Sequence, residues 1–300
     1  MNRILISFLA LLASTLIGIS QGWAEEKKAE PAKDSPPKGL RIFTCGHSFH
    51  YFIGNIMKDL AQGAGIKDHE QLGVNYIGGS KVIQHWNAPE DKNKAKEFLR
   101  AGKVDVLTLS PIYFPDDGIE KFTQLALENN KDIRITVQEF WLRWDIYEPT
   151  TKPPAKVDHN AITGEELRKR HAPYFKSMDE FVEDLNKKQG KTVLYVVPVG
   201  QAIIALREKI IAGEAPGLKT QEDLFTDALG HGKPPLEALV AYCHYGVIYK
   251  RSPVGLPVPS VMKKGKVTDE LEQLNRLLQE LAWDAATSHP LSGVKKPVKP

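Results

Sequence analysis

The chain has 300 residues, of which 42% are hydrophobic and 26% charged, an ordinary globular composition with enough apolar material for one sizeable core. Its 40 basic and 37 acidic side chains are scattered and leave a formal charge of only +3, so there is no electrostatic footprint for nucleic acid and no such partner is expected. Two cysteines, Cys45 and Cys243, exclude a disulfide-built scaffold; they permit one bridge or serve as two buried small hydrophobes.

Residues 1–24 hold Arg3, an apolar run from Ile4 to Ile19, and small residues at Gly22 and Ala24. This is the layout of an export signal cleaved after Ala24, and it implies a periplasmic or secreted protein without membrane attachment after cleavage. The alternative is an uncleaved anchor, for which the apolar run is short. Residues 25–38, EEKKAEPAKDSPPK, are polar and proline-bearing and read as a disordered linker. One domain is then expected over residues 39–290, followed by a disordered tail at 291–300.

Within the domain, short apolar, β-branched runs at Leu40–Thr44, Val74–Ile77, Val104–Leu109 and Ile133–Val137 read as strands, and Thr192–Val199, the most hydrophobic, as a central strand covered on both faces. Helical patterns lie between them: one opens at Phe49 with Phe52, Ile53, Ile56, Met57 and Leu60 on one face, and another covers Ile119–Leu127. Residues 141–173, rich in Trp, Tyr, Pro and His, fit the alternation least and read as a long loop excursion whose aromatics are compatible with stacking on a ring. Further helices are expected at Gln201–Ala212, from Pro234 and Pro235 through about Tyr249, and beyond a Thr268 cap with Leu271, Leu274, Leu278 and Leu281 as a packing stripe. Strands alternating with helices predict an α/β fold: a three-layer α/β/α sandwich around a parallel sheet of about five strands.

Two motifs carry chemistry. Ser48, in Gly46-His47-Ser48-Phe49, follows the first strand, so its hydroxyl falls at the carboxyl edge of the sheet, where open α/β sheets bind ligands. Asp227 and His231, in D-A-L-G-H, precede the proline-opened helix. A neutral imidazole can take the serine proton, and a carboxylate on its other nitrogen fixes the tautomer. Each motif also has a structural reading: Ser48 as a helix N-cap, Asp227 as the cap of a turn, His231 as a surface side chain.

With these residues the chain resembles the SGNH, or GDSL-like, hydrolase superfamily over roughly residues 39–257. The Gly-x-Ser block matches Gly46–Ser48, the glycine after the second strand matches Gly78 or Gly79 in Y-I-G-G-S, and the late Asp/His block matches Asp227 and His231. The resemblance implies an SGNH/flavodoxin-like sandwich and ester hydrolysis, with Ser48 as nucleophile, His231 as base and then acid, Asp227 as orienter, and the backbone N–H groups of Ser48 and Gly78 as an oxyanion hole. It implies a small-molecule or carbohydrate ester as substrate, with O-deacetylation one form of it, and no cofactor.

Three positions depart from the family pattern. His47 stands where an aspartate is usual. Asp227 lies four residues before His231 rather than three. Ser110 stands where the third block has an asparagine, so it is the candidate for an extra oxyanion donor. His47, Gly79, Gln138 and Trp141 are candidates for the substrate pocket; Gln138 and Trp141 are equally readable as a satisfied polar residue and a packed aromatic. His47, His50, His85 and His244 match no metal-site spacing, and no nucleotide loop is present. The rival to an esterase is a non-catalytic SGNH-fold protein that binds a glycan or a partner with an incomplete oxyanion hole.

Overall fold

A computed structural model describes residues 35–146, 154 and 156–295. The expected export signal and most of the linker lie outside the described residues. The described residues form five strands and eight α-helices, in the order β1 (Arg41–Gly46), α1 (Ile53–Gly63), β2 (Glu70–Tyr76), α2 (Val82–Asn87), α3 (Ala95–Arg100), β3 (Val106–Leu109), α4 (Asp117–Asn129), β4 (Arg134–Gln138), α5 (Gly164–Gln189), β5 (Leu194–Val197), α6 (Val199–Ile211), α7 (Pro234–Tyr249) and α8 (Asp269–Ser288). All strands are parallel, in the order β2-β1-β3-β4-β5. Helices α1, α6, α7 and α8 pack among themselves, as do α2, α3 and α4, so the sheet is the middle of three layers.

Burial follows from the residues. β3, Val-Leu-Thr-Leu, is buried at every position, as the middle strand of a sheet covered on both faces must be. β2 lies at an edge, and each of its residues is exposed or half-buried. In α7 every residue from Ala238 to Tyr249 is buried, because a helix that is apolar all round must run through the interior. Its start at Pro234 and the Thr268 cap of α8, whose hydroxyl accepts from Leu271 N–H, fall where proline and threonine place them. Leu274 and Leu278 of α8 are buried against the core, so that stripe is internal packing. Cys45 and Cys243 are free and buried, each thiol pushed up by desolvation, Cys45 to about 12.

The structure corrects four expectations. β5 is at the edge of the sheet and not its centre; hydrophobicity reports that its faces are covered, not how many strands flank it. α1 begins at Ile53, and residues 48–52 form turns in which Tyr51 N–H still bonds His47 O. The excursion read over residues 141–173 ends at Thr163, since Gly164–Gln189 is a 26-residue helix with Pro173 inside it. Thr163 accepts from Glu166 N–H, so T-x-x-E marks the start of this helix. The domain also runs past residue 290: Ser292 and Val294 are buried, and Gly293 closes on Tyr195 of β5.

Candidate active site

The carboxyl edge of β1 delivers Ser48. Gly46 ends the strand against the His50 ring, where a Cβ would meet its Cδ2 at 2.4 Å, so only glycine lets the chain turn here. Ser48 is not the N-cap of α1; that position is Phe52, with no side-chain cap. Its Oγ instead donates to His231 Nε2 at 2.9 Å, across 183 residues of sequence.

His231 is held by Asp227 in two ways at once. Oδ1 accepts from the N–H groups of Gly230 and His231, both at 3.1 Å, capping the turn, while Oδ2 accepts from His231 Nδ1 at 2.7 Å and orients the ring. The structural and chemical readings of Asp227 are therefore both satisfied, by different oxygens. Gly230 lies in this turn at φ +101°, a conformation that side chains rarely adopt. Desolvation pushes the Asp227 carboxyl up, but the bonds from His231 and Gly230 outweigh it and the group lies below the usual carboxylate range.

The loop is clamped from the 141–145 segment. Trp141 Nε1 donates to Gly230 O at 2.9 Å and Trp144 N–H to Leu229 O at 3.1 Å. Phe49 stacks on Trp141 with centroids 4.4 Å apart and receives the edge of the His231 ring at 5.2 Å. Trp141 is thus the packed aromatic of the two readings, and Phe49, read from sequence only as a helix start, is the floor under the His231 ring. Among the described residues, the aromatics Trp141, Trp144 and Tyr174, read as compatible with stacking on a ring, are buried.

His47 is buried and not a pocket wall. Its Nδ1 accepts Phe49 N–H at 3.2 Å, which leaves Nε2–H to donate to Ser110 Oγ at 3.1 Å. Burial holds its pKa at about 3, so it is a neutral fastener of the turn that carries Ser48. The contact made by the Ser110 hydroxyl is this one, and Ser110 is itself buried. Gln138 is wholly buried, the satisfied polar residue and not the edge of a pocket. Gly78 and Gly79 are exposed; Gly79 has φ +60° and open space around a notional Cβ, so the backbone alone demands glycine there. Among the described residues, neither Ser48 N–H nor Gly78 N–H donates to a protein acceptor.

The Gly78 turn is braced from below. Ser80 Oγ meets His85 Nε2 at 2.8 Å, and His85 Nδ1 meets Asn75 Oδ1 at 2.6 Å, so one imidazole spans the two ends of the turn. This mimics a nucleophile-base pair, but Ser80 and His85 are sealed from solvent and burial holds His85 at about 4. Asp116 then caps α2, accepting from Val82 N–H and Ile83 N–H at 2.6 and 2.9 Å. All four histidines considered as metal ligands, His47, His50, His85 and His244, are hydrogen-bonded within the protein.

No protein-family model matches the chain, and no curated protein does. Among solved structures, it is similar to a DUF4886 family protein from Bacteroides uniformis, at 14% identity over 87% of this chain and 98% of the other, with a TM-score of 0.54. Weaker likenesses are to a protein assigned as a GDSL-like lipase from Parabacteroides merdae, at 16% identity, 71% and 97% coverage and TM-score 0.44, and to one assigned as an SGNH hydrolase from Slackia heliotrinireducens, at 17%, 69% and 97%, and 0.40. The layered α/β fold is shared with the DUF4886 family protein. At these identities the likeness is one of fold, and in that frame the Ser48 turn and the Asp227/His231 loop meet at the carboxyl edge of the sheet. Among the described residues no helix is long and apolar enough to cross a membrane.

Proposed function

We propose that the protein is a serine ester hydrolase in which Ser48, His231 and Asp227 act as nucleophile, base and orienter. The observation that carries this reading is the continuous relay from Ser48 Oγ to His231 Nε2 at 2.9 Å and from His231 Nδ1 to Asp227 Oδ2 at 2.7 Å. The neutral imidazole takes the Ser48 proton as Oγ attacks the ester carbonyl, and the Asp227 carboxylate stabilises the imidazolium that forms. The N–H groups of Ser48 and Gly78 are free to donate to the oxyanion, and each such donor supplies about 3 kcal/mol of transition-state stabilisation. His231 then returns the proton to the leaving alkoxide, and a water activated by the same nitrogen hydrolyses the acyl-enzyme.

A carbohydrate ester is the substrate class we favour. Tyr51 and Tyr76 are 44% and 52% exposed, with ring centroids 4.9 Å apart, and a Cβ on Gly78 would lie 3.3 Å from Tyr76 Oη, so two aromatic faces stand open beside the oxyanion turn. Tyr76→Ala is expected to raise KM for an acetylated pyranoside several-fold, up to about tenfold, and to leave turnover of an aryl acetate unchanged, as loss of one ring contact worth about 0.5–1.5 kcal/mol requires. Read with the export signal expected at residues 1–24, the reaction would take place outside the cytoplasm.

The test is a fluorophosphonate probe on the purified wild type. A single covalent adduct on the peptide containing Ser48, together with hydrolysis of short-chain aryl esters, is the expected result. A folded protein that takes no label and turns over no ester would favour the binding-protein reading, for which the burial of Ser110, where a third oxyanion donor was expected, is the specific argument.

A further inference from the structure

Beneath the site one amide joins three elements. Gln138, at the end of β4, donates from Nε2 to Phe49 O at 2.9 Å, and its Oε1 lies 2.8 Å from His50 Nδ1 and 2.9 Å from His244 Nε2. The Phe49 carbonyl decides which way the amide faces, because the flipped group would set two acceptor oxygens against each other. That orientation forces both histidines to donate to Oε1. His50 then carries its proton on Nδ1, and its Nε2 accepts from Thr108 Oγ1 at 3.0 Å. His244 carries its proton on Nε2, leaving a buried Nδ1 with no partner among the described residues. An unpaired buried acceptor on α7 is a cost the fold bears to keep this contact.

The elements so joined are those that must be in register for a Ser48-to-His231 contact. Phe49 and His50 belong to the turn that carries Ser48; His244 lies on α7, which starts three residues after His231. We infer that Gln138 is a positioning residue, which sets the Ser48 turn against α7 and thereby holds the nucleophile and the base at hydrogen-bond distance. The inference rests on the hydrolase reading. Neutral histidines suit the role: burial pushes His50 down to about 4 and His244 well below its ordinary value, so neither gains a charge in the working range. Other polar groups around the amide are held elsewhere: Thr108 by Thr44 and His50, His47 by Ser110, and Glu139, next along the strand, by Gln201 and His289.

Two variants test it by the second-order rate of fluorophosphonate labelling across pH, with circular dichroism as the check on folding. Gln138→Met fills the space without hydrogen bonds and is expected to label at least about tenfold more slowly than the wild type at every pH, since a misplacement of the order of 1 Å suffices for such a loss. Gln138→Glu, when protonated, reproduces both the donation to Phe49 O and the acceptance from the histidines; when ionised, it sets a negative oxygen against that carbonyl. Its rate relative to the wild type is therefore expected to be near one at the acid end and to fall about tenfold or more as pH rises through one ionisation that the wild type lacks. Gln138→Met labelling at the wild-type rate, or a Gln138→Glu ratio constant with pH, would overturn the inference. If Gln138→Met does not fold, Gln138→Glu decides it alone. A wild type that takes no label overturns the hydrolase reading instead, so the two failures are distinguishable.

Discussion

Replacing Ser48 with alanine is expected to lower turnover of an aryl ester on the order of 10⁶-fold, with KM little changed and stability held within about 1 kcal/mol. The size of the loss follows from the relay: without Oγ there is nothing for His231 Nε2 to activate, although the ring keeps its bond from Nδ1 to Asp227. His231→Ala is expected to cost a comparable amount, and the double variant little more than either single one, because nucleophile and base act as a unit. Residual activity on the order of 10³–10⁴-fold above the water reaction should survive in all three and measures what the oxyanion donors and binding contribute by themselves. Parallel rates and urea unfolding curves for the four proteins check this. Losses that simply add, or a Ser48→Ala protein that retains wild-type turnover, would remove Ser48 from the mechanism.

The second large effect concerns stability. Asp145→Asn is expected to destabilise the domain by about 3–5 kcal/mol at pH 7, the usual consequence of removing one charge from a buried pair. Asp145 and Arg207 are each about 3% exposed at the side chain and are paired bidentately, with His159 Nδ1 donating to the same carboxylate at 2.7 Å and Arg207 Nε donating to Gln221 Oε1 at 2.7 Å. Desolvation acts to raise the Asp145 carboxyl, but the bonds from His159 and Arg207 outweigh it and hold the group at about 2. A depressed carboxylate stabilises the fold above its unfolded pKa of about 3.9, and that stabilisation is lost as pH falls towards about 2. Stability of the wild type should therefore decline through that window with a component that Asp145→Asn lacks. Adding Arg207→Met to Asp145→Asn should recover part of the loss, since the orphaned guanidinium goes with it. Denaturant midpoints of the wild type and the two variants between pH 7 and about 2 read both effects; a single variant within about 0.5 kcal/mol of wild type at pH 7 would show the pair to be of little weight.

This pair also supports the site. Trp144 and Asp145 both have positive φ, 54° and 56°, which costs about 1–2 kcal/mol for each non-glycine residue. The Arg207 ion pair holds the segment in that conformation, and the segment in turn presents Trp144 N–H to Leu229 O and Trp141 Nε1 to Gly230 O. A strained stretch is fixed by a buried charge pair, and the loop bearing Asp227 and His231 is fixed by the strained stretch.

Much of this was legible from residue order. Apolar runs separated by amphipathic stretches demand a parallel sheet covered on two faces, and Pro234 and Thr268 mark helix starts because φ and a hydroxyl cap are local matters. Ser48, Asp227 and His231 were readable as candidates because a turn after β1 and a loop before α7 both open on the carboxyl edge. Hydrophobicity could not tell the edge strand β5 from a central one, because pairing partners are remote in sequence, whereas α5 was hidden locally, by the proline and aromatic content around Pro173.

The roles of polar side chains were least legible of all. Gln138 and Ser110 have the composition of pocket residues and are in fact sealed, one under Phe49 and between two histidines, the other against His47. His85 and Ser80 make a relay as short as that of His231 and Ser48, and it is burial, with the neutral Asn75 in place of a carboxylate, that separates them. The sequence by itself determined the layered α/β architecture and the pair of chain positions that reach one edge of it, since both depend on periodicity and turn chemistry within a few residues. Tertiary structure alone decided which hydroxyl meets which imidazole and which is open to solvent, because a hydrogen bond spanning 183 residues is set by the register of strands and helices and leaves no local trace in the order of residues.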